Sequence, residues 1–285
     1  VPEFVTIKLI IIVTADTYGY NLENKYSDYQ GNGKVSMLKR VIEHKREEIK
    51  QVKNRQSLAA IKAHLSKPRS SASSFTETLV NRAQKKQVAI IAKIKQKSSS
   101  HDSIREDFNL LNNVQSYIQG GACCLSILID EKYFGGRLTY LKKVQAFRSL
   151  PLLRKDFIID DYQVFERKLT YADAILLLAN AFAAQLQEFE EQAHDLGLDV
   201  LIEINHQEDI KKIEKYRSPI IGINNLNLQY FTTDISRRIQ LKKELPEHKF
   251  IVCESGVRSS KDIRLVTKKG IYIFLIGQYL SLIHI

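Results

Sequence analysis

The stretch Leu152-Leu153-Arg154-Lys155-Asp156-Phe157 decides the fold. Pro151 precedes it, two apolar residues run straight into three charged ones, and Ile158-Ile159 follow. So short an apolar run, cut off by charge, reads as a buried strand with an ammonium at its carboxyl end. Taken alone, it is better read as a strand end with a solvated charge. What changes that reading is the same pattern at other strand ends along the chain.

From Val88 the chain alternates. Apolar runs at Val88–Ile94, Cys123–Ile129, Leu152–Lys155, Ala174–Leu178, Val200–Ile204, Ile220–Ile223, Phe250–Cys253 and Tyr272–Ile276 read as strands. Between them, Asn109–Gln119, Leu138–Phe147, Asp161–Leu169, Ala183–Leu196, Gln207–Tyr216, Thr233–Leu245 and Ser259–Lys269 read as helices. Such strands, apolar on both sides and joined through helices, form a parallel sheet covered on both faces. Eight of them favour a closed (β/α)8 barrel of the α/β class over an open doubly wound sheet. An eighth helix is missing after the last strand. The barrel is therefore expected to be truncated, with one side of strands seven, eight and one uncovered.

Before the barrel, Met37 to about Gln51 has an amphipathic face of Leu38, Val41, Ile42 and Ile49. Ser57–Leu65 reads as a second helical piece, and Lys67-Pro68-Arg69-Ser70-Ser71 as a linker. Ser74-Phe75-Thr76-Glu77 is a capping box that opens a helix to about Lys86. Residues 1–36 precede Met37, the chain's single methionine, and read as a non-native or unstructured leader. Residues 281–285 match the translation of a common sequencing adapter and read as a non-native tail. The expected organisation is a helical extension over 37–87 and a barrel over 88–280.

Composition bounds the partners. A net charge of +11 invites a polyanion, but the basic residues are spread along the whole chain and form no arm. No nucleic-acid partner is expected. The apolar run Val5–Val13 falls well short of the roughly 20 residues that span a bilayer. No membrane partner is expected either, and a monomer is. Cys123, Cys124 and Cys253 have neither metal-ligand spacing nor a disulfide pattern, which fits a reducing cytoplasm.

In a barrel, the groups at the carboxyl ends of the strands converge on one mouth. Here they are Lys95, Lys155, Glu203, Asn224, Glu254 with Ser255, and Gly277. Two ammoniums, two carboxylates, an amide and a hydroxyl suit acid–base work on an oxygen-rich anion. Ser255-Gly256 after strand seven and Gly277 after strand eight sit where backbone N–H groups hold a phosphate in many barrels. The two glycines also serve as plain turn residues, and both readings hold together.

These residues resemble the indole-3-glycerol phosphate synthase family, from Met37 to about Leu280. The resemblance is carried by Asp130-Glu131-Lys132-Tyr133-Phe134-Gly135-Gly136, Leu153–Asp160 with Tyr162-Gln163, Asp199–Glu203, Ile221–Asn225 and Glu254-Ser255-Gly256-Val257. It implies a ring-closing decarboxylation of 1-(2-carboxyphenylamino)-1-deoxyribulose 5-phosphate to indole-3-glycerol phosphate, CO2 and water, with no metal and no organic cofactor. Lys155 would protonate the ribulose carbonyl and Glu203 would move protons during dehydration. Lys95 would hold an anionic group, and Asn224 and Glu254 would orient the hydroxyls and the anilino nitrogen. Phe134 and Phe157 would wall the aromatic ring, with Ser98 also at the substrate. Ser255, Gly256 and Gly277 would hold the phosphate. The extension would pack over the barrel mouth.

The chain also departs from that family. Its first strand ends Lys93-Ile94-Lys95 where the family has Glu-Ile-Lys. Ser99 replaces the proline of a Ser-Pro-Ser loop, Leu226 replaces an arginine after strand six, and Gln278 stands where a glutamate or small residue is usual. A third lysine in the mouth is expected to depress lysine pKa values. Slow turnover is expected from these changes, and a catalytically impaired member of the family is the alternative reading. A second alternative is another phosphate-binding barrel, such as phosphoribosylanthranilate isomerase or the tryptophan synthase α chain. Isomerases of that group use Cys/Asp or paired-Asp sets, which the strand-three lysine and strand-five glutamate argue against.

Overall fold

The strands are β1 Ala89–Ile94, β2 Cys124–Leu128, β3 Leu152–Lys155, β4 Ala174–Leu178, β5 Asp199–Ile204, β6 Ile220–Ile223, β7 Phe250–Cys253 and β8 Ile273–Ile276. They pair in parallel in chain order, and β8 pairs with β1 to close a barrel. This computed structural model describes residues 37–63, 74–95, 108–147, 149–166, 170–179, 185–205, 209–224, 241–254, 256–257 and 259–277. The leader, the Lys67–Ser71 linker and the tail lie outside the described residues.

Three helices precede the barrel: α1 Met37–Arg55, α2 Leu58–Ala63 and α3 Phe75–Gln84. Within it come α4 Leu110–Gln119, α5 Glu131–Phe134, α6 Leu138–Gln145, α7 Asp161–Phe165, α8 Leu186–Asp195, α9 Ile210–Ile213 and α10 Ser260–Thr267. Of the helix expected at 233–245, residues 241–244 are helical and the earlier ones lie outside the described residues. The helix starts follow side-chain chemistry. Ser74, Asn109 and Ser259 each accept a backbone N–H at the N-terminus of their helix, which relieves donors that have no partner inside the helix.

Successive strand residues point to opposite faces. Ile91, Leu153, Leu176, Leu201, Val252 and Leu275 fill the barrel. Leu177, Ile202, Ile223 and Phe274 pack outward with Leu186, Phe189 and Val266 of the helices. The same alternation splits the decisive stretch. Lys155 follows Leu153 inward, while Arg154 turns outward and is buried beneath α7. Its guanidinium donates to Gln163 O at 2.9 Å, Asp156 Oδ2 at 2.9 Å and Glu166 Oε2 at 3.0 Å.

Two expectations are corrected here. Strands seven, eight and one are not uncovered: Cys253, Phe274, Ile276, Ile90, Ala92 and Ile94 are all buried. Val266 and Ile271 pack in the same cluster as Phe274, and Leu110 and Val114 in the same cluster as Ala92 and Ile94. The extension also does not lie wholly over the mouth. Phe75 and Leu79 of α3 are fully buried in the inner core with Ala89 and Ala174, the first residues of β1 and β4. Ser74 Oγ and the Thr76 N–H both donate to Asp199 Oδ2, at 2.7 and 3.0 Å, where β5 begins. So α3 plugs the bottom of the barrel, while α1 and α2 pack on α7 beside the strand ends.

Candidate active site

The mouth is built from the last inward position of each strand. Lys155 Nζ donates to Glu203 Oε2 and to Glu254 Oε2, both at 3.0 Å. Asn224 Nδ2 donates to the other oxygen of Glu203 at 2.9 Å. Strands three, five, six and seven thus bring four expected residues into one hydrogen-bonded cluster. Lys93 and Lys95 reach it from β1, since Lys93 senses the charges of Lys95, Lys155, Glu254 and Glu203.

Burial and these charges set the proton affinities. Burial alone would lower the pKa of Lys155, but Glu203 and Glu254 reverse that and hold it above the ordinary lysine range. The expected depression of lysine pKa values therefore fails at Lys155, because two carboxylates face it. Like-charge repulsion adds to burial at Lys93, whereas burial is what lowers Lys95. Burial, then Lys95 and Lys155, push Lys93 down to about 7. Burial would raise Glu203, but Lys155 and the Asn224 amide keep it below the usual carboxylate range. Burial and Glu203 push Glu254 up to about 7 against the pull of Lys155. One carboxylate therefore stays ionised while its neighbour exchanges a proton near neutrality, the split that acid–base chemistry requires.

The sign of the pH dependence follows. With its folded pKa lowered to about 7, Lys93 binds fewer protons in the folded than in the unfolded chain between pH 7 and its unfolded value. Stability from this group must rise with pH across that window. Glu254, raised to about 7, removes stability as pH rises from its unfolded value to 7. Both groups are thus least favourable near pH 7. Thermal melts of Lys93→Met are expected to lose the gain that the parent shows between pH 7 and 10. An unchanged pH profile would place Lys93 in solvent.

Glycines make the room. A Cβ at position 222 would meet Glu254 Oε1, so the carboxylate sits where only glycine leaves space. Gly222→Ala is expected to displace Glu254 and slow turnover by about 10- to 100-fold with the fold retained. Steady-state rates beside circular dichroism check this. Gly277 is buried, and a Cβ there would lie 2.6 Å from Lys93 Cε, so the lysine arm crosses the tip of strand eight. Gly256 adopts a left-handed φ of 78° after β7. Ser98, Ser99, Leu226, Ser255 and Gln278 lie outside the described residues.

The aromatic walls meet. Phe134 and Phe157 stack with ring centroids 6.2 Å apart and planes 21° apart. Asp130 caps α5, which carries Phe134, and Gly135 ends it at a φ of 67°. A Cβ at Gly136 would strike the Leu128 carbonyl, so the segment is pressed onto the end of β2. This short helix was not expected from the sequence, although Asp130 and the glycine pair mark its two ends.

Lys45 was also missed. It is buried on α1, with its ammonium 2.6 Å from Glu48, 3.3 Å from Asp156 and 3.4 Å from Asp130. Its signal was a lysine midway between Val41 and Ile49, on the buried face of the helix. Asp156 is held by Lys45 and Arg154, and its Oδ1 accepts the Phe157 N–H at 2.9 Å. A separate groove lies along α1, lined by Arg46, Lys50, Lys53 and Asp160. The charged side chains converge instead at the strand ends. Among the described residues, no group of three or more His, Cys, Asp or Glu is placed to hold a metal ion.

The family model for indole-3-glycerol phosphate synthase matches residues 38–282. The chain belongs to the indole-3-glycerol phosphate synthase family. It is 40% identical over 248 residues to an indole-3-glycerol phosphate synthase of Acidithiobacillus ferrooxidans, covering 86% of this chain and 93% of that one. To a protein of the same name from Legionella pneumophila it is 39% identical over 246 residues, covering 86% and 93%. To one from Paracidovorax citrulli it is 37% identical over 247 residues, covering 85% and 92%. Among solved structures, the N-acetylmannosamine-6-phosphate 2-epimerase from Clostridium perfringens aligns with a TM-score of 0.51 at 13% identity. That match covers 68% of this synthase-family chain and 87% of the epimerase, and it shows a shared fold alone. The family resemblance read from the strand-end motifs therefore holds, and the family is one of enzymes.

Proposed function

We propose that the mouth of this barrel closes the indole ring. The substrate is 1-(2-carboxyphenylamino)-1-deoxyribulose 5-phosphate. Its ring carbon bearing the carboxylate attacks the ribulose carbonyl while Lys155 gives a proton to the carbonyl oxygen. Loss of CO2 restores the aromatic ring. Loss of the new hydroxyl as water, with Glu203 handling the proton, gives indole-3-glycerol phosphate. The observation that carries the reading is Lys155 held at 3.0 Å from both Glu203 and Glu254.

That geometry explains how a lysine with a raised pKa still acts as an acid. While both carboxylates are ionised, its proton is held. Glu254 takes up a proton near neutrality. Once it does, one of the two attractions is gone and the ammonium becomes a better donor. The same ammonium stabilises the oxygen charge that develops during attack. Asn224 fixes the orientation of Glu203. Phe134 and Phe157 receive the anilino ring, with Ser98 beside them. Lys95 holds an anionic group, and Ser255, Gly256 and Gly277 take the phosphate. The enzyme works as a monomer in the cytoplasm on this small phosphorylated acid. The lysine–carboxylate cluster of Lys155, Glu203 and Glu254 favours this over the isomerase reading, whose acid–base sets are Cys/Asp or paired Asp. Incubating the protein with the substrate and following indole fluorescence together with CO2 release tests it. CO2 and fluorescence should appear in equal amounts, and neither product nor binding would overturn it.

A further inference from the structure

Phe134 and Phe157 sit on different loops, after β2 and after β3, yet stack at 6.2 Å. Each loop is shaped by one buried aspartate. Asp130 accepts the Tyr133 N–H at 2.9 Å and so starts the turn that carries Phe134. Asp156 accepts the Phe157 N–H at 2.9 Å. Both aspartates are buried, at 0% and 3% exposure. One ammonium serves both: Lys45 lies 3.4 Å from Asp130 Oδ2 and 3.3 Å from Asp156 Oδ1. It comes from α1, outside the barrel, and is itself 6% exposed.

We propose that Lys45 is a positioning residue that ties the β2 and β3 loops together and so sets the stacked aromatic face against which the substrate's ring packs. The role rests on the ring-closing reading above. A buried charge pair stripped of one partner leaves the other uncompensated. When Lys45 goes, Asp130 loses its cation and Asp156 loses one of its two, so both loops loosen at once. Arg154 still holds Asp156 from the other side, and the Lys155 cluster is untouched. The aromatic end of the site should therefore weaken while the phosphate end does not.

The test uses the full chain and its Lys45→Met variant, with Lys45→Gln alongside in case the methionine variant does not fold. The first readout is amide hydrogen exchange, which needs no substrate. The Tyr133 and Phe157 amides should exchange roughly tenfold faster or more in either variant, while the Ala179 amide, bonded to Glu203 O, keeps its rate. The second is binding of a reduced, non-cyclisable form of the substrate and of inorganic phosphate. The variant should bind the reduced substrate roughly tenfold more weakly and phosphate equally well. In a Phe134→Ala background that loss should shrink to about threefold or less. Unchanged exchange at both amides, or an undiminished loss in the Phe134→Ala background, overturns the proposal. Faster exchange in the variants, with a parent chain that does not bind the reduced substrate, would instead overturn the ring-closing reading and leave the loop tie standing.

Discussion

Lys155→Met should lower the rate of ring closure by about a thousandfold or more relative to the parent chain, combining a lost general acid with lost charge stabilisation. The substitution keeps most of the length of the arm and removes its charge. Glu203 and Glu254 would then face each other across a buried mouth with no cation between them. Their mutual repulsion would push Glu254 further above its present value of about 7. The variant should therefore fold with a proton trapped in the pair, bind phosphate normally, and release no CO2 from the substrate. Single-turnover measurements of CO2 separate chemistry from product release. Retention of more than a tenth of the parent rate would show that another group protonates the carbonyl.

Lys93→Glu combined with Leu226→Arg is expected to raise the rate by about 100-fold or more, the low end of the roughly 10²- to 10⁴-fold that one acid–base group contributes. The present mouth holds Lys93, Lys95 and Lys155 against Glu203 and Glu254, and the extra cation is itself pushed down to about 7. Its arm also crosses Gly277, where the phosphate is proposed to bind. A glutamate at 93 is shorter, clears the tip of strand eight and supplies a third carboxylate. Position 226 lies outside the described residues, so its contribution is best read from the single variants beside the pair. If the double variant is no faster than its parent, these two substitutions are not what slows the chain.

Much of this was legible in the sequence, for a definite reason. The strands are short apolar runs, several of which end in or beside a polar residue, and in a closed parallel barrel those ends can only meet. Lys155, Glu203, Asn224 and Glu254 were identified that way. What the sequence did not reveal depends on contacts between distant segments. The direction of the Lys155 shift needs Glu203 and Glu254, which lie 48 and 99 residues further on. The outward burial of Arg154 beneath α7 depends on Gln163 and Glu166, which the next helix brings to it. Gly222 reads as a plain strand residue until the Glu254 side chain fills the space above it. Lys45 sits on a helix outside the barrel, where a charged residue is ordinarily taken for a solvated one.

The α3 plug bears on how this protein can be cut. A fragment begun at Val88 would contain all eight strands, yet Phe75 and Leu79 would be gone from the floor they seal. Water would enter beneath Ala89 and Ala174, and Asp199 would lose the two donors that hold it. Anyone seeking a minimal catalytic scaffold should keep Ser74 onward, and a shorter piece should be recovered as an aggregate.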